Sequence, residues 1–142
     1  MHRSCTVQAN FDYTSELDMK KKIRVSACLQ PIVTGLFANS PFHDGKMNGY
    51  QSYRAYVWSK TDKDRTGILR SMVGKHFSFA EYTDYVLKVP VYSIIRDGNY
   101  INCLNYSFED LMKNKYDRIP SEDLTLDDWT DHLSTIFTDV RL

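Results

Sequence analysis

Apolar and polar residues alternate strictly at the start of the chain. Cys5, Val7, Ala9 and Phe11 fall on one side, and Thr6, Gln8, Asn10 and Asp12 on the other. A period of two over this length predicts a β-strand from roughly residue 4 to 12 with one buried face. The opposite row consists of short hydrogen-bonding groups and contains no Lys or Glu, whereas solvent-facing rows usually carry them. Thr6, Gln8 and Asn10 therefore read as the floor of a ligand site. The same row would also suit a sheet face that simply meets water.

The period then lengthens. Ser15-Glu16-Leu17-Asp18 offers an N-cap with an acid at N3. Met19, Ile23 and Ala27, with Val25, Leu29, Ile32, Val33 and Leu36, continue as a helical stripe to about Ala38, with a break or restart expected at Pro31. Residues 42–49 read as a loop with turn dipeptides, 50–59 as helix or strand, and 59–67 as a polar loop; 68–77 match no element. Ser78 and Glu81 bracket a capping box that opens a helix to about Leu87. Asp97-Gly98 joins two strand-like runs, from Val89 to Arg96 and from Asn99 to Cys103, into a hairpin. A short helix follows from Ser107 to Lys113. Thr125 caps a last one, with Leu126, Trp129, Leu133 and Ile136 expected on its inner face. The fold class is α+β: an antiparallel or mixed sheet with helices on one face, in a single domain over residues 1–142. A chain that opens directly on a strand and stops at Leu142 without a cap reads as a piece of something longer.

Composition narrows the partners. Eighteen basic and eighteen acidic residues cancel, which argues against nucleic-acid binding by bulk charge. No apolar run is long enough for a transmembrane helix, so no membrane partner is expected. Cys5, Cys28 and Cys103 show no metal-ligand spacing. Each has apolar neighbours, so each is expected to be a small buried hydrophobe in a reducing compartment. The four histidines have no zinc or triad spacing, and no Walker or GxGxxG loop is present. His132 suits a surface or core role better than catalysis.

The sharpest constellation lies between Asn48 and Trp58. Arg54 and Trp58 are four residues apart, and so share a face in a helix or a strand. Tyr50 joins them in either geometry, and Ser52 does so in a strand. A guanidinium flanked by rings and a hydroxyl can hold a carboxylate through two parallel bonds. An Arg merely stacked on Trp at a surface is the plainer alternative. Asp62 and Asp64 could approach a Mg²⁺ ion, but a capped turn with a solvated charge pair accounts for them more simply.

Several segments together resemble one family, and they occur in the right order along essentially the whole chain. They are Met1 to Asp12, Leu29-Gln30-Pro31, Leu36 to Phe42, Gly45-Lys46, Asn48-Gly49, Ser52, Arg54, Trp58, Asp64-Arg65-Thr66-Gly67, Val89-Pro90-Val91-Tyr92, Arg96-Asp97-Gly98 and Trp129 to Leu142. The chain resembles a central segment of glutamate–cysteine ligase of the plant and proteobacterial type. The resemblance implies a glutamine synthetase-like funnel and an ATP- and Mg²⁺-dependent joining of the glutamate γ-carboxyl to the cysteine amine through a γ-glutamyl phosphate, the first step of glutathione synthesis. It implies that Gln8 and Asn10 face the active site, Gln8 near the metal, with Thr6 in the same row. Arg54 would clamp a glutamate carboxylate beside Trp58, and Tyr92 would line the cysteine pocket. It also implies the remainder of a ligase chain as partner, without which this segment would be inactive. The location would be cytoplasmic, or plastid for a plant protein. Two other readings stay open: a carboxylate–amine ligase for another amine, and a non-catalytic binding module.

Overall fold

A computed structural model describes residues 5–142. The chain forms two compact units, Met1–Ser78 with Thr138–Leu142, and Phe79–Phe137.

Helix α1 (Glu16–Leu36) dominates the first unit. Its Ser15 cap accepts the Asp18 N–H at 3.2 Å, as the sequence pattern predicts. Pro31 does not break the helix. Its missing N–H removes one intrahelical bond, and the turns on either side keep the rest. Met19, Ile23 and Ala27 are buried on one stripe, and α1 packs against a 3₁₀ turn (Arg70–Val73) that buries Met72. That turn occupies the stretch for which the sequence offered no element.

Residues 42–49 fold as a small hairpin and not as a plain loop. Strand β1 (Phe42–His43) pairs antiparallel with β2 (Lys46–Met47) across Asp44-Gly45. Both turn residues have positive φ, 49° and 76°, as a type I′ turn demands. Helix α2 (Tyr53–Ser59) follows, and resolves the helix-or-strand ambiguity of its segment. A polar turn then leads to β3 (Thr66–Gly67).

The second unit closes round its own core. Helix α3 (Phe79–Lys88) leads to strands β4 (Ser93–Arg96) and β5 (Asn99–Asn102), which pair in the expected hairpin register, Arg96 opposite Asn99. Helix α4 (Phe108–Met112) and helix α5 (Leu126–Ser134) each carry a complete capping box, Ser107 with Asp110 and Thr125 with Asp128. Val91, Ile94, Cys103, Phe108, Leu111 and Ile119 make one contiguous cluster, with Trp129 packed against it. Arg96 fastens the hairpin to α5. Its Nη1 and Nη2 donate to the two Asp128 carboxylate oxygens at 2.7 Å each, and Nη2 also donates to the Asp123 carbonyl. Burial alone would raise the Asp128 carboxyl, but the Arg96 and Thr125 hydrogen bonds outweigh it and hold it below its ordinary value.

The mixture of helices and small sheets is α+β. Several expectations are corrected. Among the described residues every sheet has only two strands, so the single larger sheet with helices on one face is not formed. Residues 5–13 enter no strand. The side expected to be buried lies open, with Val7 92% and Phe11 67% exposed. A pleated segment needs a laddered neighbour to bury one face, and no strand pairs with this one. Residue 4, the expected first position of that strand, lies outside the described residues. Leu126 is 82% exposed instead of lining the inner face of α5, while Asp128 and His132 are buried there. The buried Asp128 turns that face because its carboxylate must reach both the cap and Arg96. Of the cysteines only Cys103 is buried; Cys5 and Cys28 are exposed.

Candidate active site

Helix α2 is held at both ends, and this positions Arg54. At its start, Ser52 accepts the Ala55 N–H at 3.3 Å, so this hydroxyl serves as the helix cap. Ser40 pins the same end, its Oγ accepting the Tyr53 N–H at 2.9 Å and its carbonyl accepting the Asn48 side-chain amide at 3.0 Å. At the far end the Trp58 carbonyl accepts the Thr61 N–H at 3.2 Å and the Thr66 hydroxyl at 3.4 Å.

Between these anchors the guanidinium of Arg54 lies over the Trp58 indole, 5.2 Å from the ring centroid. This is the i, i+4 neighbourhood that the spacing predicts. Both side chains are half-buried. An indole face attracts the cation and shields one side of it. Tyr50 is not part of this stack. It lies on Tyr56, 4.2 Å between centroids, within a separate group of rings that includes Tyr53 and His43.

The polar turn after α2 is structural. Asp62 accepts the Asp64 N–H at 2.9 Å and Arg65 Nη1 at 2.8 Å, and Arg65 is only 1% exposed. The capped turn is as expected, and Asp62 is committed to it, but the charge pair is not solvated: the Arg65 side chain is buried. Gly67, at φ 88°, ends the turn in a conformation that a side chain would strain.

Asp139 is the residue that sequence reasoning missed. Its N–H donates to the Gly67 carbonyl at 2.9 Å, which brings the returning chain beside β3. The residue is exposed as a whole. Atoms crowding its carboxyl nevertheless push it above its ordinary value, against the opposing pull of Arg54. No local pattern marks a lone acid more than eighty residues beyond Arg54; only the fold brings the two together.

The remaining candidates each have surroundings of their own. Thr6, Gln8 and Asn10 are exposed. Gln8 Nε2 donates to Asn10 Oδ1 at 2.8 Å, and the Thr6 hydroxyl bonds the Val7 carbonyl at 3.2 Å. Tyr92 belongs to the second unit, where its carbonyl accepts the Cys103 N–H at 3.1 Å and its ring is partly exposed. His132 is a core residue there, its Nε2 2.9 Å from the Val86 carbonyl. Among the described residues no group of three or more His, Cys, Asp or Glu side chains could hold a metal ion. None of their helices is long and apolar enough to cross a membrane.

The model of the glutamate–cysteine ligase family 2 matches residues 1–142. The chain is 51% identical over its full 142 residues to a chloroplastic glutamate–cysteine ligase of Medicago truncatula, covering 28% of that protein. Its identity to the chloroplastic enzyme of Nicotiana tabacum is 50%, covering 27%, and to glutamate–cysteine ligase B of Oryza sativa subsp. japonica 49%, covering 29%. It thus spans less than a third of the length of these curated relatives. A match along the whole chain by family model and relatives alike means that this chain belongs to glutamate–cysteine ligase family 2.

Proposed function

We propose that this chain is a substrate-holding segment of a glutamate–cysteine ligase, with Arg54 as the clamp for a glutamate carboxylate. The observation that carries the reading is the Arg54–Trp58 stack on a helix fixed at both ends. A rigidly held guanidinium fork costs little to order when a carboxylate arrives. The reaction is the ATP-dependent joining of the glutamate γ-carboxyl to the cysteine amine through a γ-glutamyl phosphate. Tyr92 lines the cysteine pocket, and Thr6, Gln8 and Asn10 turn toward substrate once the ligase is complete. ATP enters as co-substrate. A magnesium ion bound with ATP would take one or two carboxylates together with the nucleotide's phosphates, and Gln8 is the side chain of this chain proposed to lie near it. The relatives are named chloroplastic, which favours a plastid location.

The test is a chimera in which this chain replaces the matched segment of the Medicago truncatula ligase. It should release ADP with formation of γ-glutamylcysteine when glutamate and cysteine are both supplied. Turnover with other amines but not with cysteine would favour a different carboxylate–amine ligase. A folded chimera with no turnover, from a parent that is active, would overturn the reading.

A further inference from the structure

Helix α1 has two halves of opposite character. From Glu16 to Arg24 it carries six charged side chains, with ion pairs from Lys20 to Glu16 and from Lys22 to Asp18. From Val25 through Phe42 there is no Asp, Glu, Lys or Arg. A water-facing helix surface keeps charges, and a helix apolar on all sides is normally buried. Yet Val25, Leu29, Ile32 and Leu36 keep between 46% and 75% of their surface exposed. At helical spacing these four, with Val33, form a stripe separate from the buried one of Met19, Ile23 and Ala27.

We infer that this second stripe of α1 is a docking face for an apolar surface of the remaining ligase polypeptide. The inference rests on the ligase reading above. The chain matches only 27–29% of its relatives' length, so most of a ligase lies outside the match and can supply such a surface. A second copy of this chain fits less well. Five half-exposed side chains offer on the order of 500 Å² or less, below the roughly 800 Å² per partner that a stable dimer buries. A lipid surface fits less well too. Interfacial helices carry Lys and Arg along the polar face, whereas the polar residues in these turns are Ser26, Gln30 and Thr34.

Cys28 provides the readout, because it is exposed and adjoins Leu29. Its alkylation by N-ethylmaleimide, followed by peptide mass spectrometry to separate it from Cys5 and Cys103, is compared in the free chain and in the chimera. Docking predicts labelling at least about tenfold slower in the chimera. Equal rates would overturn the inference. So would protection already present in the free chain, whether from self-association on gel filtration or on adding phosphatidylcholine–phosphatidylglycerol vesicles. In the free chain, Leu29→Lys with Ile32→Lys should leave the helical circular dichroism unchanged; its collapse would mean that the stripe is core, which also overturns the inference. A protected Cys28 in an inactive chimera would retain the docking face while the catalytic reading fell. An active chimera with Cys28 open would do the reverse.

Discussion

The two units reach order by different routes. The second has one contiguous core, two complete capping boxes, a hairpin and a bidentate Arg96–Asp128 pair, all between Phe79 and Phe137. The first has a long helix on a 3₁₀ turn, a stapled short helix, a hairpin of only two residues a strand, and an extended segment at 5–13 that meets no ladder. Among the described residues, its large apolar side chains are exposed far more often than buried. A region whose apolar groups find partners nearby completes itself, whereas one whose apolar groups stay open is built to be completed by something else. Arg54 on α2, the proposed carboxylate clamp, lies in the second kind of region.

The largest test of this contrast is all-or-none. The free 142-residue chain should form no γ-glutamylcysteine, while the chimera turns over, as measured by coupled ADP release. Measurable product from the free chain would mean that the first unit needs no completion.

Next comes Arg96→Ala. Removing one partner leaves the buried Asp128 carboxylate uncompensated, which should cost about 2–4 kcal/mol. Urea titration followed by Trp129 fluorescence measures it. A cost below about 1 kcal/mol would mean that the pair does not hold the second unit together.

Leucine truncations sharpen the boundary between core and surface. Leu111→Ala, at a fully buried site, should cost about 2–5 kcal/mol. Leu126→Ala, on the outer side of α5, should stay within about 0.5 kcal/mol. Similar values for both would contradict the observed face of α5.

The smallest effect is the pH response, and one acid of the first unit, Asp139, has the opposite sign from the others. In the second unit Lys115 hydrogen-bonds Asp110 and, with Ser107, lowers its carboxyl to about 2. Asp128 also lies below its ordinary value. Stability from depressed acids is fully present above their unfolded value, near 3.8, and is lost as pH falls below it. In the first unit the Lys22 hydrogen bond lowers the exposed Asp18 carboxyl, but burial raises that of Asp139, so proton uptake at Asp139 offsets the loss at Asp18 as pH falls. Acid titration should therefore loosen Trp129 before Trp58, as read in variants carrying only one tryptophan. The reverse order would contradict these assignments.

What the sequence revealed followed the same division. Thr125 with Asp128, and Asp97-Gly98, are local signals spanning four residues or fewer, and each formed its element. Arg54 and Trp58 are one helical turn apart, so their contact was legible even with the secondary structure in doubt. The alternation of residues 5–12 was equally clear but needed a neighbour that periodicity cannot supply. Leu126 misled because a hydrophobic stripe ignores the demand of a buried ion pair, and this demand turned Asp128 inward. Asp139 could not be found at all, because its place beside β3 is fixed by a backbone bond across seventy-two residues.

The role of Arg54 is tested most directly by the glutamate dependence of the chimera carrying Arg54→Ala, with Arg54→Lys and the exposed Arg24→Ala beside it. Loss of the proposed carboxylate clamp should lower kcat/KM for glutamate by roughly thirtyfold or more, about 2 kcal/mol. Lys, which keeps the charge but not the fork, should fall between, and Arg24→Ala should match the parent. An Arg54→Ala enzyme with unchanged kcat/KM for glutamate would remove this guanidinium from the substrate site.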